Sequence, residues 1–228
     1  MAEESALDEV IAATEKNQEE DTLELAKKII RSFEGFEAKP YYATANEEKE
    51  GKLTIGYGST TTLDGKPIKP GMRVSEKEAE QMLVRDLEKR KAVMQSIVKR
   101  DLTPRQEAAV LSLMYNAGNN AVRNSKFLKK LNAEGVESAR EELWNWDKQT
   151  NPETGKKEKL TGLTERRIAE EALLTGEAPS IVIKQRPKEA RIDTKVRDFG
   201  IAFDMPKEKE EKKEVQDVGI FDRNSTTA

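Results

Sequence analysis

The chain has no cysteine and no histidine in 228 residues. Without cysteine there is no disulfide framework, no thiolate nucleophile and no cysteine-based metal site. Without histidine the commonest metal ligand and the usual base near neutral pH are both missing, so acid–base chemistry falls to carboxylates, lysine or tyrosine. We therefore expect no metal and no other cofactor. Long apolar runs are lacking too. None approaches the ~18 residues of a membrane span, and the first residues do not follow the basic-then-apolar order of a secretion signal. The expectation is a chain made as a soluble cytosolic product with no part in a membrane. A basic stripe interleaved with aromatics is also absent, which argues against nucleic acid as a partner.

What the chain does have is charge, unevenly spread around a net value of −3. Residues 1–21 hold eight acidic side chains against one lysine, and residues 178–228 hold eleven basic against ten acidic, so the stretch between is slightly basic. A slightly basic domain behind an acidic leader suits an anionic polymer. The leader offers only Leu7, Val10 and Ile11 as larger apolar groups, too few for independent folding. Beyond Pro179 the composition changes again. Ile181 to Ile183 and Phe199 to Phe203 have strand-like patterns, while Lys207 to Glu214 is a mixed-charge run of the kind that stays solvated. We expect one domain over 22–177, an acidic tail over 1–21, and an extension over 178–228 that is extended or docked on a partner.

The domain is organised around two stretches. Leu23, Ala26, Ile30 and Phe33 recur at helical spacing, which predicts an amphipathic helix over 22–34, started by Asp21 with Glu24 as a capping box. Gly35 is placed to end it in a left-handed conformation. Glu34 then lies in the last turn, where the helix dipole disfavours negative charge, and Phe33 and Phe36 flank it. Both effects favour a protonated carboxyl, the form a general acid needs. About twenty residues on, Lys52 to Gly58 reads as a strand that can bring the Thr54 hydroxyl back against Glu34; its glycines predict a close backbone approach. Thr60 to Ile68, around Asp64-Gly65, completes a hairpin, and 43–51 reads as a polar loop.

The rest of the domain reads as helical. Ser75 to Glu78 is a capping box opening a long helix with Ala79, Met82, Leu83, Leu87, Met94 and Ile97 inward. Thr103-Pro104 with Gln106 opens a strongly apolar helix ending near Gly118, the expected centre of a helical lobe. Shorter helices are expected over 126–133 and 136–146, with Trp144 and Trp146 as core and groove wall. Residues 151–155 form a turn-rich loop in a basic stretch, and Leu163 to Thr175 form a last amphipathic helix carrying Arg166, Arg167, Glu170 and Glu171, stopped by Gly176.

Five motifs now stand in order: Phe33-Glu34-Gly35; Leu53 to Ser59; Leu102 to Gln106 with Ser112 to Gly118; Ser125 to Leu128; and Gly162 to Glu170. Together they resemble the phage-type lysozymes, glycoside hydrolase family 24. The resemblance covers 22–177 and says nothing of the tails. It implies an α+β, mainly helical fold, with a small β-hairpin lobe, a larger helical lobe and a groove between them. It also implies hydrolysis of the β-1,4 bond between N-acetylmuramic acid and N-acetylglucosamine in peptidoglycan. Glu34 matches the family's catalytic glutamate and Thr54 its active-site threonine. Tyr42, Tyr57 and Asn116 become candidate substrate contacts, and Arg166 and Arg167 resemble the paired arginines of the closing helix, one of them reaching Glu34. An arginine there would oppose the dipole and burial effects on that carboxyl.

One position departs from the family pattern. An Asp usually follows the loop tyrosine by two residues, but Tyr41 and Tyr42 are followed at that spacing by Ala43 and Thr44, and no Asp occurs between Asp21 and Asp64. The second group must be Glu47, Glu48 or Glu50, or the Thr44 hydroxyl. Inverting hydrolysis wants a base roughly 6.5–9.5 Å from the acid with water between. With one carboxylate alone, attack by the sugar's own 6-hydroxyl would make a lytic transglycosylase, and with none working, a wall-binding or structural virion protein. Chitin is a further candidate polymer. The expected biological setting is a bacteriophage, in host lysis or, with tails bound to virion proteins, in opening the wall at infection.

Overall fold

The computed structural model describes residues 22–151, 154–179 and 182. The expected capping residue Asp21, the strand-like run 199–203 and both distal tails lie outside the described residues.

Helix α1 spans 22–33, and the Glu34 N–H closes its last turn on the Ile30 carbonyl at 2.8 Å. Ala26, Ile29 and Ile30 are fully buried, as the apolar spacing requires. Gly35 does not take the left-handed conformation expected of it; the chain runs straight into strand β1, Glu37–Tyr41. Pulling residues 37–41 into sheet pairing leaves no room for a helix cap that reverses the chain. β1 pairs antiparallel with β2, Thr54–Gly56, with Glu37 opposite Gly56, Tyr41 opposite Thr54, and a bulge between. Between the strands the expected polar loop is a short helix, α2, Ala45–Glu50, started by the Thr44 hydroxyl accepting the Glu47 N–H and ended by left-handed Gly51. The hairpin beyond β2 closes through a bridge between Thr61 and Pro67.

The small lobe packs Leu53, Ile55 and Ile68 on Met82 of α3, Glu76–Ile97. Gly56 is where the lobes meet most closely. Its φ is +70°, and a Cβ there would stand 2.9 Å from the Ala79 Cβ. The strand can approach α3 only as glycine.

Helix α4, Pro104–Ala117, is the centre of the large lobe, buried continuously from Ala108 to Met114. It packs on α3, on α5 (Asn119–Arg123) and on α8 (Thr161–Thr175). The capping boxes expected at Ser75 and Thr103 are both formed. Helices α6 (Lys126–Ala133) and α7 (Val136–Arg140) and a 3-10 turn (Glu141–Trp146) follow. On either side of the expected loop stand the strands of a second antiparallel hairpin, β3 (Lys148–Thr150) with β4 (Lys157–Lys159), which sequence patterning did not reveal. All six of its strand residues are exposed, so no alternation marks them. Packing also runs past Glu177. Ala178 and Val182 are buried, Val182 on Ile168 and Ala172, and Val182 is helical where a strand was expected. Among the described residues no helix is long and apolar enough to cross a membrane.

Candidate active site

Glu34 stands between the lobes, at the end of α1 and three residues before β1. Its Oε1 accepts from Arg166 Nη1 of α8 at 2.6 Å; the glutamate side chain is about a third exposed, the arginine buried. The chain separation of these two groups is 132 residues. Arg166 is itself held on three sides. Its Nε points to the Ser112 hydroxyl at 3.3 Å, its Nη2 donates to the Ser112 carbonyl at 3.2 Å, and its guanidinium lies 5.7 Å from the Phe33 ring centre.

Behind it, Glu170 is the hub of a buried network. It accepts the Ser112 hydroxyl at 2.8 Å and faces Arg166 Nε at 3.4 Å and Arg167 Nε at 2.9 Å. Arg167, wholly buried, also donates to Asn116 Oδ1 at 3.0 Å. Burial pulls the Arg167 guanidinium below its ordinary pKa, Arg166 beside it adds to this, and Glu170 resists it. Arg166 and Arg167 do not form an exposed salt-bridged helix face: both are buried, and so are Glu170 and Glu171. Ser112 and Glu170 were not singled out by sequence reasoning as site residues. The available signals were a serine inside the most apolar helix and a carboxylate on an inward face.

Thr54 pairs with Tyr41 across β1 and β2. It is buried, and among the described residues its Oγ1 has no hydrogen-bond partner. The Tyr41 hydroxyl is pushed above its ordinary pKa, first by burial and then by the fields of Glu34, Glu37 and Glu47, so those carboxylates gather on this side of the small lobe. Tyr115, from α4, is pushed up strongly by burial and then by Asp86 and Glu34, and its hydroxyl donates to the Tyr57 carbonyl at 2.8 Å.

In the insertion, Glu47 turns back on its own helix: Oε2 accepts the Ala43 N–H at 3.1 Å and Oε1 lies 3.9 Å from Lys52 Nζ. Glu48 and Glu50 are exposed on α2. Thr44, the helix cap, lines a groove of about 760 Å³ together with Asn116, Asn145, Trp146 and the β3–β4 hairpin. Glu34 borders a different recess, of about 650 Å³, with Arg31, Phe36 and Tyr57. The two openings are joined through the interior by Glu34, Arg166, Glu170, Arg167 and Asn116. Tyr57 is buried, with its hydroxyl donated to Glu76 at 2.9 Å, and exposed Tyr42 lines a third recess with Lys39 and Arg73. Among the described residues no group of three or more acidic side chains is placed to hold a metal ion.

A helix-end glutamate held by a buried arginine, below a short hairpin and beside a groove in a helical lobe, defines a lysozyme-type fold and site. The pattern of the phage lysozyme family matches residues 31–170, and the chain belongs to that family. An endolysin of Bacillus phage B103 is 34% identical over 170 residues, which is 74% of this chain and 60% of the relative's length. An endolysin from Escherichia coli O157:H7 phage FAHEc1 has a solved structure that superposes with a TM-score of 0.56 at 35% identity, over 68% of this chain and 90% of that one. The muramidase domain of SpmX from Asticaccaulis excentricus superposes at 0.57 with 28% identity, over 65% and 93%.

Proposed function

We propose that the protein is a phage muramidase that cuts the β-1,4 bond between N-acetylmuramic acid and N-acetylglucosamine in host peptidoglycan, and that it serves host lysis. The observation that carries this is the Glu34–Arg166 contact in a chain of the phage lysozyme family; the endolysin and muramidase names of its relatives agree. In its neutral form Glu34 gives its proton to the glycosidic oxygen. Arg166 then stabilises the carboxylate left behind, and because Ser112 and Glu170 fix it in advance, no reorganisation is needed during the step. The transition state is oxocarbenium-like, so the attacking water has to be positioned more than activated.

Two hydroxyls are assigned to that water. Thr54 Oγ1 is buried with no partner among the described residues, a cost of about 1–3 kcal/mol that a bound water removes. Thr44 accepts the Glu47 N–H and keeps its own proton for a molecule in the groove it lines. We assign it the part of the second group because Glu47, the less exposed of the carboxylates in the insertion, is engaged with Ala43 and Lys52.

The test is to digest peptidoglycan with the protein and its Glu34→Gln variant and identify the soluble ends by mass spectrometry. Reducing N-acetylmuramic ends from the unaltered protein alone are expected. Anhydro ends would replace hydrolysis by transglycosylation, and no fragments from either protein would refute the enzyme reading.

A further inference from the structure

The recess beside Tyr42 belongs to the small lobe, and the chemistry proposed for Glu34 makes no use of it. It encloses about 420 Å³ between apolar walls, Pro40 and Tyr42 on one stretch of chain and Pro70 and Met72 on another, together with buried Leu53. The two stretches are joined by backbone, since the Val74 N–H donates to the Ala38 carbonyl at 3.1 Å. The recess is therefore built by the fold and not by the chance lie of surface side chains. Tyr42 is 45% exposed, an unusual position for a large apolar ring. Two cations, Lys39 and Arg73, stand at the same recess. Both are exposed, and neither has an ion pair among the described residues. An occupant that suits this recess must bring apolar side chains and carboxylates together.

The chain itself contains such a segment. Residues 1–21, which lie outside the described residues, hold eight acidic side chains against one lysine. Their larger apolar groups, Leu7, Val10 and Ile11, follow the i, i+3, i+4 spacing that sets side chains on one face of a helical turn. Asp8 and Glu9 stand between them in the sequence. Residues 178–228 carry no excess of acid, so charge favours the leader as the occupant. Reach favours it too. The stretch from Ile11 to Asp21 can span about 36 Å when extended. Helix α1, which leads from Thr22 toward the small lobe, is only about 18 Å long. We infer that Leu7, Val10 and Ile11 dock in the recess beside Tyr42, as an amphipathic turn whose Asp8 and Glu9 pair with Lys39 and Arg73. The leader then belongs to the folded small lobe, and Tyr42 contacts it instead of substrate. Neither consequence depends on which polymer the enzyme cuts.

Because the chain has no cysteine, two introduced thiols test this directly in the full-length protein. Ala6→Cys with Pro70→Cys sets one thiol beside the docking face and the other at the recess. The equilibrium of their disulfide against glutathione gives the effective concentration of one thiol at the other. The control is Ala6→Cys with Lys99→Cys, whose second thiol lies on the large lobe just past α3. It is within the leader's reach, since Glu107 meets both Thr22 at the start of α1 and Lys91 of α3. Docking predicts an effective concentration at least about tenfold above the control, falling as salt is added. Exposed ion pairs contribute a few-fold each, so adding Lys39→Glu and Arg73→Glu should lower it about fivefold or more. Adding Asp8→Lys and Glu9→Lys to that chain should restore it, with circular dichroism checking that every variant is folded. A value no higher than the control, one that survives the reversal of Lys39 and Arg73, or a loss that the leader's reversal does not restore would each overturn the inference. A disulfide that joins two chains and grows with protein concentration would also overturn it, giving the recess to a second copy.

Discussion

Replacing Glu170 by glutamine keeps the shape of the side chain and removes its charge. In the folded protein this carboxylate has no exposure, accepts the Ser112 hydroxyl, and lies between two buried arginines at adjacent positions. Without it, Arg166 keeps Glu34, whereas among the described residues Arg167 keeps only the neutral Asn116 amide as a hydrogen-bond partner. Breaking a buried ion pair from one side costs about 3–5 kcal/mol, because the surviving charge has been taken out of water uncompensated. Glutamine still offers an oxygen to Ser112, which points to the lower end, about 3 kcal/mol. Against a total of about 5–15 kcal/mol that is a large share. At about 2–4 °C per kcal/mol for a domain of this size, the midpoint should fall by roughly 6–12 °C. Urea and thermal unfolding followed by circular dichroism measure both. A second variant separates charge from packing: with Arg167→Met added, the stranded cation is gone, and the pair should be less destabilised than the sum of the single changes by about 1–3 kcal/mol. A loss under about 1 kcal/mol in Glu170→Gln, or simple additivity in the double variant, would refute this account of the network.

The orphaned hydroxyl of Thr54 predicts that stability and turnover respond in opposite senses: Thr54→Val should leave the unfolding midpoint unchanged or raise it, since it removes an unsatisfied buried group, while fragment release falls. Equal losses of both would mean that the threonine is only structural. Gly56→Ala should destabilise by about 1–3 kcal/mol, through positive φ and the contact with Ala79, and Ala79→Gly in the same chain should recover part of it; denaturant titration decides. Tyr41, Tyr57 and Tyr115 all titrate above their ordinary value of 10.0 in the folded state, chiefly through burial. The native state therefore holds protons that the unfolded chain releases, so stability is fully present below pH 10 and declines as pH rises above it. Ultraviolet titration of tyrosinate, native against unfolded, checks this, and coincident curves would contradict it.

How much was legible beforehand depended on how local the cause was. The capping boxes at Ser75 and Thr103 and the left-handed stop at Gly176 involve neighbours in the chain, and α3, α4 and α8 begin or end where those signals stand. Glu34 could be placed at a helix end for the same reason. The first strand was not legible, because Glu-Ala-Lys-Pro-Tyr shows neither alternation nor β-branched residues and becomes a strand only by pairing with β2. The second hairpin is equally silent, since neither of its strands buries a face. In the site, Tyr57 and Asn116 carried the same resemblance-based assignment, yet one hydroxyl is consumed by Glu76 and the other residue reaches the groove.

The sequence by itself determined the chemistry that is possible. With no histidine and no cysteine, acid–base chemistry is left to carboxylates, lysine or tyrosine, and the order of motifs from Phe33 to Glu170 marks the family. Tertiary structure decided which groups act together. Glu34 and Arg166 lie 132 residues apart and meet because α1 and α8 both pack around α4. The same packing turns a charged helix face inward and makes Glu170 the counter-ion of two arginines. Packing also leaves Thr54 buried without a hydrogen-bond partner among the described residues and gathers three lysines from separate elements around one groove. None of these follows from local pattern, because electrostatic partnership and burial depend on distances that only the folded chain sets.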